Sequence, residues 1–204
     1  WLASGPHLKI ENEKKDIPLP QNIFINRNNS KGMDLSEMEN LELINKKINE
    51  YKGKVIHAVS IYSNRSEERS SKYVITSIAD NSEIGSVTFD DINLLKDNLN
   101  SDFNAEWKDI GARKRAAILV NISNEIESDP YDLIYCLMNE AGKTIQNAID
   151  EIREAVDFLR YYSDQMIGIE ESEPELDGPT GELNTLSYSA KGHFLCISPW
   201  NFPV

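Results

Sequence analysis

The sequence predicts an α/β chain dominated by a helical layer, on three observations. β-Branched and aromatic runs at residues 55–62 and 73–79 read as strands. Apolar residues recur three and four apart over much of 88–166, the period of amphipathic helices. A nearly all-apolar run at 193–198 has the character of a strand covered on both faces, as in a parallel sheet.

The elements follow in order. Residues 1–34 read as an extended arm or linker. Pro6, Pro18 and Pro20 interrupt them, and Glu11–Asp16 is wholly polar. Leu35–Tyr51 turns helical, with Leu41, Ile44 and Ile48 on one side and Gly53 as its stop. Val55–Tyr62 is a strand, Asn64–Ser71 a polar connection and Tyr73–Ala79 a second strand. Asp80-Asn81 suits a turn, and Ile84–Val87 makes a short third strand. Thr88 is placed to cap a helix, with Asp91 three residues on and Phe89, Ile92, Leu95 and Leu99 on its apolar side. Trp107–Glu127 is a longer helix. Asp129-Pro130 marks the next start, with a capping carboxylate and then a proline where no donor is lost. Gly142 breaks that helix near Glu140, and helix resumes over Thr144–Met166. There Ala148, Ile149, Ile152, Val156 and Leu159 form the core stripe, while Asp150, Glu151, Arg153, Glu154 and Asp157 read as a solvated face. Glu170–Gly181 is an acidic loop. Leu183–Ala190 alternates like a strand and precedes the apolar strand 193–198.

Composition limits the function. The chain has 204 residues, 40% hydrophobic and 27% charged, a globular make-up of about one domain. The net charge is −13, which repels phosphate backbones and argues against nucleic acid. No apolar stretch approaches the roughly 20 residues of a membrane span. The two cysteines, Cys136 and Cys196, lie in apolar runs. They read as core thiols of a cytoplasmic protein.

Motif by motif, little carries chemistry. Gly142-Lys143-Thr144 suggests a phosphate loop, but Leu137 stands where the earlier glycine is required. His7, His57 and His193 have no ligand spacing, so no metal site is expected. The segment Ser198-Pro199-Trp200-Asn201-Phe202-Pro203 differs. Two prolines turn the chain off the strand, and Asn201 sits between two aromatics. Asn201 is therefore either an oriented amide donor or the residue of an Asx-type turn.

ISPWNFP at the end of an apolar strand resembles the aldehyde dehydrogenase superfamily. NEAGKTIQNAIDEIREAVDFLRYYSDQM, GPTGELNTL and FLCISPWNFP are similar to segments of the bacterial proline utilization A family. IPLP and NSKGMDL resemble the connector between that family's proline dehydrogenase barrel and its aldehyde dehydrogenase module. The likeness is strong from about Trp107 to Val204 and weak over about 36–101.

This resemblance implies the N-terminal part of an aldehyde dehydrogenase-like fold, made of small β-pieces, a helical layer and the first strand of the cofactor sheet. Residues 1–34 would be the connector from a proline dehydrogenase domain. Residues 35–204 would be an incomplete N-terminal, NAD-binding domain. The implied reaction is NAD-dependent oxidation of glutamate γ-semialdehyde to glutamate, with FAD confined to the proline dehydrogenase domain. Asn201 matches the asparagine whose amide holds the oxyanion. Ile197, Ser198, Pro199 and Trp200 match the wall of the NAD site. The family's nucleophilic cysteine and general-base glutamate fall beyond Val204, so the 204 residues alone are expected to be inactive. The implied partners are the aldehyde substrate and either the missing C-terminal half or a second copy of the chain. The other reading is a non-catalytic fragment that docks through the β-run 182–195.

Overall fold

The computed structural model describes residues 18–61, 69–100, 107, 109–172, 175–189, 191–192 and 194–204. Its elements are α1 (Met38–Tyr51), β1 (Ile56–Val59), β2 (Arg69–Thr76), β3 (Glu83–Asp90), α2 (Ile92–Asn100), α3 (Ala112–Ser128), α4 (Tyr131–Asn139), α5 (Ile145–Glu171), β4 (Glu175–Leu176) and β5 (Asn184–Thr185). A short 3₁₀ turn at Pro20–Asn22 precedes them.

The core lies where α1, α4 and α5 meet. Ile44, Tyr131, Ile134, Leu137, Ala148, Ile149, Ile152 and Val156 form it, with Met33, Leu35 and Ile48 against its edge. Ile44 is the buried residue of α1, so that helix docks through one side chain in particular. The periodic positions of 144–166 thus face inward as the spacing requires. Thr144 caps α5, its side chain accepting the Asn147 N–H at 3.2 Å. Gly142, with φ +69°, makes the reversal between α4 and α5. The Gly142-Lys143-Thr144 run is therefore a helix break followed by a cap.

A three-stranded sheet in the order β1-β3-β2 stands beside the helices. β3 pairs parallel to β1 and antiparallel to β2. Gly85 is needed at this centre, because a Cβ there would lie 2.6 Å from the Ile56 carbonyl oxygen. The turn after β2 reaches the helices where the Ile78 N–H donates to the Asn139 carbonyl at 2.9 Å.

Several expectations change. The third strand is not a short piece at 84–87 but the eight-residue central strand Glu83–Asp90. Thr88 pairs with Val59 and Lys72 and so is spent in the ladder. Asp91 takes over at the following helix, its Oδ1 accepting the Asn93 N–H at 2.7 Å. The helix expected from Trp107 is interrupted: Trp107 and Asp109 are helical, but Gly111, at φ +77°, breaks the run and α3 begins at Ala112. No side chain caps α4, whose N-cap residue is Pro130. Helix α5 runs on to Glu171 instead of stopping at Met166. Among the described residues of the alternating run 183–190, pairing is confined to Asn184–Thr185. Among the described residues of 193–198, none enters a ladder, so the strand expected there does not form. Cys196 is accordingly exposed rather than a core thiol. Of the expected connection 64–71, residues 69–71 instead open β2, because they pair with β3, while 64–68 and residues 1–17 lie outside the described residues.

The described part of the arm is tied down at its end. Ser30 is buried, and its N–H and hydroxyl both donate to Asp157, at 2.5 and 3.1 Å. The Lys31 N–H donates to Glu127 at 2.6 Å. Among the described residues, no helix is long and apolar enough to cross a membrane.

Candidate functional site

The segment 197–204 forms a turn held against the first turns of α5. Within it, the Phe202 N–H donates to the Pro199 carbonyl at 3.1 Å, closing a β-turn with Trp200 and Asn201 at its corners. Asn201 has no positive φ, which excludes the type II geometry. Ile197 (81% exposed) and Trp200 (89%) present their apolar faces outward. Ser198, Pro199 and Asn201 are exposed as well. The five predicted site residues therefore share one outward-facing segment.

Its anchor is a side chain that sequence reading placed in solvent. Glu151 lies inside the helix layer, its side chain 3% exposed. Its Oε1 accepts the Val204 N–H at 2.9 Å. Its Oε2 lies 2.6 Å from Lys143 Nζ, an ion pair whose angles fall outside those of a hydrogen bond. Lys143, 14% exposed, also stands 4.6 Å from the centre of the Phe202 ring. Two residues of the turn segment, Phe202 and Val204, thus rest on one buried pair. Glu151 follows Ala148 by three positions and precedes Ile152, so it interrupts an apolar stripe. An acid in such a stripe was the available signal.

Neither cysteine is a built nucleophile. Burial pushes the Cys136 thiol up, with Glu140 and Asp132 adding to the effect, so little thiolate is present. Cys196 is exposed on the unpaired run. Among the described residues, no three His, Cys, Asp or Glu side chains gather as a metal site.

The turn closes a segment that matches a known family. The aldehyde dehydrogenase family matches residues 66–204. The chain belongs to the aldehyde dehydrogenase family.

Its relatives include the bifunctional protein PutA of Klebsiella aerogenes, 31% identical over 99% of this chain and 14% of that protein. The 1-pyrroline-5-carboxylate dehydrogenase of Staphylococcus saprophyticus is 26% identical over 89% of this chain and 36% of its own length. The structure of 1-pyrroline-5-carboxylate dehydrogenase from Thermus with bound NAD superposes with a TM-score of 0.76. It covers 86% of this chain and 35% of its own, at 22% identity, and shows the shared fold. The fold is thus the α/β aldehyde dehydrogenase type, and the 204 residues span about a third or less of these relatives.

Proposed function

We propose that the chain is the front part of an NAD-dependent dehydrogenase that oxidises glutamate γ-semialdehyde, the open form of 1-pyrroline-5-carboxylate, to glutamate. The observation that carries this reading is the Pro199–Phe202 turn, which closes the family match with Asn201 at its corner. The relatives' names supply the substrate. On the same reading, residues 1–34 are a connector, 35–204 the beginning of the dehydrogenase domain, and the protein works in the cytoplasm. Its partners are the aldehyde and either the remainder of the enzyme or a second copy.

The residues fit NAD on one side. Ile197 and Trp200 offer exposed apolar surface, and Ser198 and Pro199 continue the wall on the same segment. The described residues include no glycine-rich phosphate cradle, so this wall is one part of the site. NAD, when bound, supplies the hydride acceptor. Attack of a thiolate on the aldehyde places negative charge on the former carbonyl oxygen. The Asn201 Nδ2–H donates to that oxygen. Its amide is neutral, so it remains a donor at every working pH, and it gains most where charge develops.

The test is NADH formation from pyrroline-5-carboxylate by the full-length polypeptide. Asn201→Ala lowers kcat by roughly 10²–10³-fold, the cost of one oxyanion donor. Unchanged turnover in that variant removes the role assigned to Asn201.

A further inference from the structure

Resting on the dehydrogenase reading above, we propose that the buried Lys143–Glu151 pair positions the Asn201 turn, acting on the reaction through Asn201 without touching the substrate.

The turn has an internal bond, Phe202 N–H to Pro199 carbonyl, which keeps its shape. That bond does not say where the turn sits. Ile197, Ser198, Pro199, Trp200 and Asn201 are exposed, so the leading side of the turn makes little contact with the rest of the chain. The trailing side is held. Glu151 Oε1 accepts from Val204 N–H at 2.9 Å, three residues after Asn201. Lys143 Nζ lies 4.6 Å from the ring centre of Phe202, the next residue after Asn201. The 2.6 Å ion pair joins these two contacts into one support.

The chemistry suits a fixed support. A carboxylate accepting an N–H makes a shorter and stronger bond than a neutral acceptor does. A buried ammonium against an aromatic face is worth more than an exposed one. Both groups come from well-anchored backbone. Glu151 sits in the second turn of α5, beside the buried Ala148 and Ile152. The Lys143 N–H donates to the Leu137 carbonyl at 3.0 Å, and the residue immediately precedes the Thr144 cap. An oxyanion donor loses its effect when it is misplaced by about an ångström. The pair therefore sets how well Asn201 meets the oxyanion, and this makes Lys143 and Glu151 positioning residues.

The experiment uses the full-length polypeptide and measures kcat, both KM values and the melting temperature. Glu151→Ala should lower kcat by roughly tenfold or more with the KM for the aldehyde nearly unchanged, because the aldehyde meets the misplaced donor only as charge develops on its oxygen. In an Asn201→Ala background, Glu151→Ala should cost no more than about a further twofold, since the two act as one unit. Glu151→Gln keeps an acceptor for Val204 and is the variant to use if Glu151→Ala fails to fold. It should show a smaller loss and the same non-additivity. Lys143→Arg, which keeps the charge, should retain more activity than Lys143→Met. If Asn201→Ala is slow but Glu151→Ala is as fast as the parent, the positioning role is wrong while the site reading stands. Losses that multiply in the double variant also overturn it. If Asn201→Ala itself is unaffected, the underlying site reading fails instead.

Discussion

Replacing Arg160 with methionine tests how the arm and the helix layer are joined. Arg160 reaches from α5 to α3. Its Nε donates to Ser123 Oγ at 3.1 Å, and its Nη2 donates to Asn124 Oδ1 at 2.9 Å and to Glu127 Oε2 at 2.7 Å. Glu127 also accepts the Lys31 N–H of the arm at 2.6 Å. Burial pushes the Glu127 carboxyl up, but the Arg160 guanidinium and the Lys31 N–H outweigh it and hold the group below its ordinary 4.5. Methionine keeps much of the apolar stem and removes every donor, leaving Glu127 with a backbone N–H alone. Breaking a fully buried pair costs about 3–5 kcal/mol. The Glu127 side chain is 21% exposed, so water recovers part of that loss. The expected loss is about 2–3 kcal/mol at neutral pH. The sign with pH follows from the depressed value. Its stabilisation is complete above the unfolded value of 4.5 and fades as pH falls through the lower folded value. The gap between parent and Arg160→Met therefore narrows on acidification. Urea unfolding followed by circular dichroism, at neutral pH and near pH 4, measures it. A gap that stays constant with pH, or one under about 0.5 kcal/mol at neutral pH, refutes the argument.

Two further outcomes are expected. Ile44→Ala removes three carbons from the fully buried contact that docks α1, about 2.5 kcal/mol at about 0.8 per carbon. The residual cavity raises this within the usual range of about 2–5 kcal/mol, and a urea midpoint unchanged from the parent would contradict it. With a thiol-reactive dye on the native protein, exposed Cys196 should label quickly and Cys136 slowly, because Cys136 is half-buried with its thiol pushed up. Equal rates at the two cysteines would mean that the core around α4 is open.

These tests bear on one arrangement, in which α5 carries both structure and site. Its inward stripe builds the core, its first turns support the Asn201 segment through Glu151, and its middle binds the arm through Asp157 and, by way of Arg160, Glu127. A change at either end of this helix is therefore felt in more than one function, as expected where neighbouring contacts share a partner.

Local chemistry was enough for much of this molecule. The helical spacing of Ile145, Ala148, Ile149, Ile152 and Val156 named the core face of α5, and Thr144 and Gly142 marked its start. Those are properties of a few neighbouring residues, legible wherever period and cap agree. The PWNFP segment was equally legible as a turn, since proline constrains the backbone without help from elsewhere. What required the tertiary structure was every question of what lies opposite. Thr88 reads as a cap until two neighbouring strands claim its backbone for a ladder. The run 193–198 reads as a buried strand, yet an apolar run becomes one only when partners supply hydrogen bonds, and here its described residues are exposed. Glu151 reads as one more charge on a solvated face until Lys143 and the Val204 N–H close over it. A residue's own chemistry sets what it can bind, but its burial is set by distant segments, and only the folded chain brings those segments together.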